Sequence, residues 1–321
     1  MNRRQFISRL GAVCTLPLFT GCSQPSSLKV GLVPWVGYET LCLAKNLNWL
    51  PQEIKLTEYS NSRKKISALT SGELDAACMT VAEMISARND GIALTAITVF
   101  DVSSGADVVI ARDNISSLKD LKNKRIGLEK NTLGALMLAK LLSFAELSQN
   151  DVILVDSPMN KQKEYWLNNK VDVLISYNPV SSTIINESGH IIFDSSQIPD
   201  AIIDVLAVKT ELLASHDYLL KQLVKAHFKG VSHIRYNHDD ALYRIADHQK
   251  IPFEDVKYAI SGIIQPSIEA NREYLSNPNG RLIPASRQIS KILVENKIIP
   301  VEDKLIDFMS DDYLPSNMAK L

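Results

Sequence analysis

The sequence predicts an α/β fold, and two features carry that prediction. From Leu28 onward, short apolar segments alternate with longer amphipathic segments, as when strands and helices follow one another. Polar residues suited to helix caps follow several of the apolar segments, so that each strand leads into the start of a helix. This alternation predicts a largely parallel sheet, and 321 residues are enough for two lobes with separate cores.

The N-terminus has the layout of a signal peptide. Three arginines, Arg3, Arg4 and Arg9, precede an apolar stretch from Leu10 to Phe19. That stretch is shorter than the roughly 20 apolar residues needed to cross a bilayer. We therefore predict that residues 1–21 are an export signal. The paired arginines resemble a twin-arginine signal, and the general secretory route is the alternative.

A cysteine stands directly after the predicted signal. The run Leu18-Phe19-Thr20-Gly21-Cys22 resembles the lipobox of bacterial lipoproteins, in which the cysteine is lipidated and becomes the mature N-terminus. Cys22 as a disulfide partner or a free thiol is the alternative. The polar residues 23–27 favour the anchor, so that residues 22–27 are predicted to form a lipid-anchored tether and the protein to be extracytoplasmic and membrane-attached.

Charge and cysteine content narrow the possible functions. Cleavage before Cys22 would leave 300 residues, and losing the three signal arginines would shift the formal net charge from −1 to −4. No basic excess remains to bind nucleic acid. Cys14 leaves with the signal, so Cys42 and Cys78 alone could pair in an oxidising periplasm. Both stand in apolar contexts and are expected to be buried single thiols.

The first part of the mature chain reads as three strand–helix units. Tripeptide Ser60-Asn61-Ser62 supplies cap residues, and Thr80 followed by Glu83 forms a capping box. The predicted elements are strands Leu28–Val33, Ile54–Tyr59 and Asp75–Met79 and helices Glu39–Asn46 and Arg63–Leu69.

The middle of the chain appears as a second set of strands, and the C-terminal part is nearly all helical. Thr132 is predicted to cap the helix that follows it. The predicted strands are Leu94–Phe100, Val108–Ala111, Ile126–Leu128, Val152–Val155, Val171–Ser176 and Ile191–Phe193. The predicted C-terminal helices are Tyr218–His233, Asp239–His248, Phe253–Ile260 and Ala285–Glu295.

Several short motifs, taken in order, resemble one family of transport proteins. They are Val30-Gly31-Leu32-Val33-Pro34-Trp35, Ala44-Lys45-Asn46, Leu69-Thr70-Ser71-Gly72-Glu73-Leu74-Asp75, Ser104-Gly105-Ala106-Asp107, the Leu118–Gly127 turn, Tyr177-Asn178-Pro179 and the Ile198–Leu206 run. Together they resemble the periplasmic solute-binding proteins of nitrate, sulfonate, taurine and thiamine-precursor transporters, the SsuA/THI5-like or NMT1 family. The resemblance covers nearly the whole mature chain.

The resemblance implies a two-lobed type II periplasmic binding protein fold. The chain would cross between the lobes twice, near residues 100–104 and 198–206, and these crossovers would form a hinge. Lobe I would then comprise residues 28–100 and 205–321, with the C-terminal helices completing it, and lobe II residues 101–204. The ligand would lie between lobes that close on it.

The expected ligand-contacting residues follow from the same architecture. Open α/β sheets bind ligands at the carboxyl ends of their strands, where helix N-termini offer free N–H groups. The candidates are Trp35, Tyr38, Ser60, Asn61, Thr80, Asp101, Ser103, Asn131, Thr132, Tyr177, Asn178 and Asp204.

Each candidate also has a structural interpretation. Ser60, Thr80 and Thr132 are suited simply to capping helices. The Trp35 and Tyr38 rings could stack on a planar or cationic ligand, or only pack their loop. For the aspartates near the crossovers, ligand contact is favoured for Asp101 and Asp204, and a structural role for Asp107.

Carboxylates and aromatic rings outnumber the candidate cations, Arg63 and Lys130, at the strand ends. This disfavours a bare inorganic anion such as nitrate. A molecule with an amine or a heteroaromatic ring, with or without an anionic group, fits better. The pyrimidine-precursor branch is one option, although that family pattern implies an acidic residue before Pro179, where this chain has Asn178.

The sequence does not predict an enzyme, a cofactor or a metal site. No nucleophile–base pair or metal-ligand spacing is evident, and His227 and His233 are too far apart to share a helical face. A pyrimidine-synthesising enzyme of the same fold would need a reactive histidine and a cysteine-rich or metal-binding patch. The six histidines are expected to lie on the surface, away from the cleft.

The expected function is therefore capture of a small polar solute, such as a sulfonate, a taurine-like amine or a pyrimidine precursor, and its delivery to the permease of an ABC transporter. The protein is expected to act as a monomer. The alternative is a periplasmic ligand sensor of the same fold that regulates a membrane signalling protein.

Overall fold

The computed structural model describes residues 27–276, 278 and 280–316. The predicted signal peptide, the lipidation site Cys22 and all of the tether except Ser27 lie outside the described residues. Within the described ranges, no helix is long and apolar enough to cross a membrane.

Eleven strands and eleven α-helices make up the described chain. The strands are β1 (Leu28–Leu32), β2 (Ile54–Glu58), β3 (Ala76–Thr80), β4 (Leu94–Ser103), β5 (Asp107–Ala111), β6 (Arg125–Leu128), β7 (Ile153–Asp156), β8 (Val173–Tyr177), β9 (His190–Asp194), β10 (Ile203–Lys209) and β11 (Ile263–Ile264). The helices are α1 (Glu39–Asn46), α2 (Ser62–Thr70), α3 (Val81–Asn89), α4 (Thr132–Ala145), α5 (Met159–Leu167), α6 (Val180–Ile185), α7 (Asp217–Tyr236), α8 (His238–Gln249), α9 (Phe253–Ser261), α10 (Ile268–Leu275) and α11 (Leu282–Glu295).

The strands form two sheets. The first has the order β11-β4-β10-β3-β1-β2 and the second the order β7-β6-β8-β5-β9. The expectation of a largely parallel sheet is wrong: β1 pairs in parallel with β2 and β3, but β10 runs antiparallel to both β3 and β4. In the second sheet, β6 has parallel neighbours and β5 antiparallel ones. The physical reason is that the first strand the chain forms on entering a sheet from the other, β5 in the second sheet and β10 on the return to the first, runs against the parallel strands of that sheet.

The chain passes from the first sheet to the second between Ser103 and Asp107, and returns between Asp194 and Ile203. The predicted loop after Phe100 is therefore shorter than expected, because Asp101, Val102 and Ser103 continue β4. Likewise, the last part of the crossover expected at residues 198–206 belongs to β10, which begins at Ile203. The lobe boundaries at 100/101 and 204/205 remain a proposal.

Helix α7 packs along α1 and also contacts β4, and α10 contacts β4 as well. Helix α11 contacts both α3 and α4, so it touches helices that follow strands of each sheet. The sequence did not predict α10. Its N-cap, Ser267, accepts from the amide of Ala270, and its buried Asn271 bonds to both backbone groups of Val99 in β4.

Two further expectations need correction. Asn131 caps α4 through its side chain, which accepts from the Gly134 amide at 2.7 Å, so Thr132 is the first helical residue and not the cap. His227 is fully buried, not on the surface, because it lies on the face of α7 that packs against α1, where its Nδ1 lies 2.9 Å from Oγ1 of Thr40. Burial lowers the pKa of this imidazole to about 3, so it is neutral at physiological pH.

Candidate functional site

A small cavity lies where the first sheet meets the second. About 20 Å³ of it is open to the centre of a water-sized sphere, which is room for about one water molecule. The side chains around it therefore nearly fill the cleft in this conformation. Its lining residues are Val33, Trp35, Tyr38, Ser62, Lys65, Thr80, Glu83, Asp107, Leu133, Tyr177, Ile202 and Asp204.

Three neighbouring strands bring polar residues to one place. In the register of the first sheet, Asp204 of β10 stands opposite Thr80 of β3 on one side and opposite Asp101 of β4 on the other. All three are buried, with Asp101 fully so. Two carboxylates and a hydroxyl therefore meet at the edge of the sheet from which α1 and α3 begin.

The loop after β1 adds two aromatic residues that bind these carboxylates. Trp35 donates from Nε1 to Oδ2 of Asp101 at 3.2 Å. The Tyr38 hydroxyl donates to Oδ1 of Asp204. A side chain on Gly37 would run into the Asp101 carboxylate, so the loop can approach β4 this closely only with glycine between the two rings.

One buried cation faces this group. Lys65 is fully buried and donates from Nζ to the carbonyl oxygen of Cys78 at 2.7 Å and to Oε2 of Glu83 at 3.4 Å. Glu83 also completes the capping box at the start of α3, because its Oε2 accepts from the Thr80 amide at 3.1 Å. Of the described residues that line the cavity, only Lys65 carries a positive charge.

The acidic groups outweigh that cation, and burial makes them hard to ionise. Burial raises the pKa of Asp204 to about 7, although the hydrogen bond from Tyr38 opposes the shift. Burial also raises the pKa of Asp107 to about 7 against the bond to Ser103, and burial followed by the charge of Asp204 raises the pKa of Asp101 well above its usual range. A cation placed in the cavity would stabilise the ionised form of each.

Several buried carboxylate oxygens have no donor within the described part of the chain. They are Oε1 of Glu83, Oδ1 of Asp101 and Oδ2 of Asp107, and Oε1 of nearby Glu129. The Glu129 carboxyl lies close enough to Glu83 for their charges to interact, and burial raises its pKa to about 7. Because an unsatisfied buried acceptor is costly, these oxygens mark where hydrogen-bond donors are wanted.

The second sheet contributes the opposite wall. Tyr177, at the end of β8, pairs in register with Asp107 of β5. Its ring meets Trp35 edge-on, with the centroids 5.5 Å apart. Leu133, from the first turn of α4, completes this wall. Aromatic rings from both sheets thus stand next to the carboxylates.

The structure brings together five of the sequence-predicted residues as cavity lining: Trp35, Tyr38, Thr80, Tyr177 and Asp204. Asp101 lies behind Trp35 and contacts it. The other six do not line the cavity, and are Ser60, Asn61, Ser103, Asn131, Thr132 and Asn178.

Local hydrogen bonds account for most of these six. Asn61 and Asn131 cap α2 and α4 through their side chains. Ser103 lies 2.7 Å from Ser195, oxygen to oxygen, at the crossover between the sheets. Oδ1 of Asn178 accepts from the hydroxyls of Ser181 and Ser182, the first of them at 3.2 Å. Asn178, at the position where the family pattern implies an acidic residue, is therefore not one of the residues that line the cavity.

Lys65, Glu83 and Asp107 line the cavity and were not among the sequence candidates. Signals for two of them were present. Lys65 shares the spacing of the buried residues of α2, which are Ser62, Ala68 and Leu69. The sequence identified Glu83 only as half of a capping box. Because that box begins the helix directly after β3, Glu83 must lie near the end of that strand.

Comparison with known proteins places the chain in a family. The family model described as NMT1/THI5 like matches residues 42–241, which is more than half of the chain. No curated protein sequence matches it significantly.

Solved structures show the same fold at low sequence identity. The ligand-binding component of an ABC-type import system from Staphylococcus aureus with zinc bound superposes with a TM-score of 0.75 at 14% identity, covering 90% of this chain and 98% of that one. The alkanesulfonate-binding protein SsuA from Xanthomonas axonopodis pv. citri bound to MOPS has a TM-score of 0.73 at 15% identity, with 87% and 96% covered. The periplasmic aliphatic sulphonate binding protein SsuA from Escherichia coli has a TM-score of 0.71 at 16% identity, with 87% and 95% covered.

The two-sheet α/β architecture, with two passages of the chain between the sheets, is thus that of periplasmic binding proteins of ABC-type import systems. Taken with the family-model match over residues 42–241, it leads to one assignment: the chain belongs to the NMT1/THI5-like family.

Proposed function

We propose that this protein is an extracytoplasmic solute-binding protein, and not an enzyme, that captures a small planar molecule bearing amino or ring N–H groups and delivers it to an ABC transporter. The observation that carries the proposal is a set of buried carboxylate oxygens at the cavity, chiefly Oε1 of Glu83 and Oδ2 of Asp107, which receive no hydrogen bond from any residue that the structure describes. A ligand rich in N–H donors satisfies them.

The charged groups at the cavity favour some classes of solute over others. Four carboxyl groups at or beside the cavity, those of Glu83, Asp101, Asp107 and Asp204, face the single ammonium of Lys65. A nitrate or a simple alkanesulfonate would have to enter against these carboxylates with one cation already engaged by Glu83. The aromatic rings of Trp35, Tyr38 and Tyr177 suit a flat, electron-poor or cationic ring. An aminopyrimidine-type cation therefore fits this site better than an anion, and a taurine-like amine fits through its ammonium group alone.

Binding requires the cleft to open. In this conformation the cavity has room for about one water molecule, which is too little for a pyrimidine ring, while groups from the two sheets touch across it. We propose a hinge motion of lobe II, residues 101–204, against lobe I, residues 28–100 and 205–321, about the two crossover segments. The proposal also includes export directed by the signal in residues 1–21 and a lipid anchor on Cys22. The partner would be a permease, and the protein would act as a monomer.

A thermal-shift panel on the full chain tests the ligand class. The panel comprises 4-aminopyrimidine, propylamine, taurine, ethanesulfonate and nitrate, the last two lacking an amine. A ligand that binds only the folded state at 100 times its Kd stabilises it by about 2.7 kcal/mol, so a specific ligand raises the Tm clearly. We expect a shift from the aminopyrimidine. A shift from nitrate or ethanesulfonate, with none from the amine-bearing compounds, would contradict the proposal.

A further inference from the structure

A second cluster of potential ligating groups lies between α1 and α8, outside the lining of the cavity. Glu39 and Cys42 are three residues apart on α1, so they share one face of that helix. His248 reaches them from the last turn of α8. One ligating atom from each of the three residues can be chosen so that all lie within 4.8 Å of one another.

The three groups are close but only partly satisfied by one another. Nδ1 of His248 lies 2.9 Å and 3.1 Å from the two carboxylate oxygens of Glu39, which is almost fully buried. The Gln249 amide donates to the same carboxylate at 2.8 Å. Nε2 of His248 points toward Glu58, 3.8 Å from its Oε2. A thiol, an imidazole and two carboxylates are thus gathered at one place.

We propose that Glu39, Cys42 and His248 form a binding site for a divalent cation of the zinc class, with a water as the fourth ligand. Thiolate, imidazole and carboxylate are the three ligand types of tetrahedral zinc sites. A groove of about 460 Å³ beside the cluster, rimmed by Asn46, Tyr243 and Asp247, gives the ion an entry path.

The protonation changes follow from the ligands. Burial, and then the charges of Glu39 and Glu58, raise the pKa of the Cys42 thiol well above its usual range, so the free protein holds the thiol protonated. Binding forms the metal–sulfur bond and releases that proton to solvent, and it also displaces any proton held on His248, whose pKa the Glu39 contact raises. No oxidant or reductant takes part. Affinity is therefore expected to fall as the pH is lowered.

The competing explanation is a plain ion pair. His248 bound to Glu39 would then only fasten α8 to α1, and Cys42 would be a partly buried thiol without a role. The two explanations differ on Cys42, because an ion pair does not need the sulfur. A thiolate–metal signal is accordingly the discriminating readout.

The experiment is a cobalt(II) titration of the reduced full chain at neutral pH, in a background with Cys14→Ser and Cys22→Ser. Cobalt(II) reports a thiolate ligand by a sulfur-to-metal charge-transfer band and tetrahedral geometry by strong visible bands. We expect one equivalent to bind and zinc to displace it. Cys42→Ser should abolish the charge-transfer band, and His248→Ala should weaken binding at least tenfold. His216→Ala, which changes a partly exposed histidine outside the cluster, should leave the titration unchanged.

Circular dichroism checks that each variant is folded. A second readout, which does not depend on the cobalt absorption bands, is whether zinc protects Cys42 from alkylation. Unaltered cobalt bands in Cys42→Ser and His248→Ala, or alkylation of Cys42 that zinc does not slow, would overturn the proposal. The cleft ligand plays no part in this experiment, so its outcome is independent of the proposed solute.

Discussion

The indole nitrogen of Trp35 donates to Oδ2 of Asp101 at 3.2 Å, across the space that Gly37 leaves free of a side chain. This bond fixes the ring that forms one wall of the cavity. Oδ1 of the same aspartate has no donor within the described residues. We propose that Asp101 acts as a positioning residue for Trp35.

The first prediction concerns that bond. Trp35→Phe keeps an aromatic ring but removes the N–H donor, which leaves the buried carboxyl of Asp101 with neither oxygen paired. We expect the free energy of unfolding to fall by about 1–3 kcal/mol, measured by urea denaturation. Trp49→Phe is the matched control, since that partly exposed ring packs on His233. Equal losses in the two variants would show that the bond to Asp101 contributes little.

The second prediction concerns the buried pair of Lys65 and Glu83. Lys65→Met leaves Glu83 without its cation and should destabilise the fold by about 3–5 kcal/mol. The double variant Lys65→Met, Glu83→Gln removes the uncompensated charge as well, so it should recover much of that loss. A double-mutant cycle of urea denaturation measures the coupling. Strictly additive losses would show that the two groups do not interact energetically.

The third prediction concerns pH. The folded chain holds a proton on Asp204 up to about pH 7, whereas an unfolded chain releases it near pH 4. The folded state binds more protons in that window, so the contribution of Asp204 to stability falls as the pH rises from about 4 to about 7.

Asp204→Asn keeps an oxygen that can accept from Tyr38 and removes the titration. Its stability should therefore decline less than that of the wild type between pH 4 and 7, as measured by thermal denaturation across the range. Asp90→Asn, at an exposed residue after α3, should leave the pH profile unchanged. A profile for Asp204→Asn identical to the wild type would contradict the assignment.

The fourth prediction concerns closure of the cleft. Arg63 of α2 lies 3.2 Å from Asp156 at the end of β7, which links helices and strands belonging to different sheets. Both side chains are more than a third exposed, so the pair is worth at most about 1 kcal/mol. Arg63→Gln should raise the Kd of the cleft ligand by up to about fivefold, mainly through faster release in stopped-flow experiments. Lys161→Gln, which breaks a pair within α5, should not change the Kd.

Local patterns in the sequence predicted much of the fold. The start of α1 at Glu39 and the capping box of Thr80 and Glu83 depend on neighbouring residues only, and both are confirmed. The antiparallel placement of β10 between β3 and β4 depends on pairing over more than 100 residues, which no local pattern encodes. Helix α10 was missed for a similar reason, since its buried Asn271 is satisfied by β4, far away in sequence.

The candidate site was predictable in part for the same reason. Trp35, Tyr38 and Thr80 lie at or shortly after the ends of strands, so the general rule for α/β sheets found them. Lys65 was missed because it is the last of three successive cations, Arg63, Lys64 and Lys65, near the start of α2. Only the periodicity of the helix places its side chain on the buried face. The cluster of Glu39 and Cys42 with His248 joins helices about 200 residues apart, beyond the reach of any spacing argument.

The most direct test of the account is a calorimetric titration of the full chain with 4-aminopyrimidine and, separately, with ethanesulfonate, repeated on the Asp107→Asn variant. Asp107 lines the cavity and has one carboxylate oxygen that no described residue pairs with, so its replacement by an amide removes charge and acceptor capacity with little change in volume. The account predicts binding of the aminopyrimidine alone, with affinity reduced at least tenfold by Asp107→Asn. Tight binding of ethanesulfonate, unaffected or improved in Asp107→Asn, would contradict it.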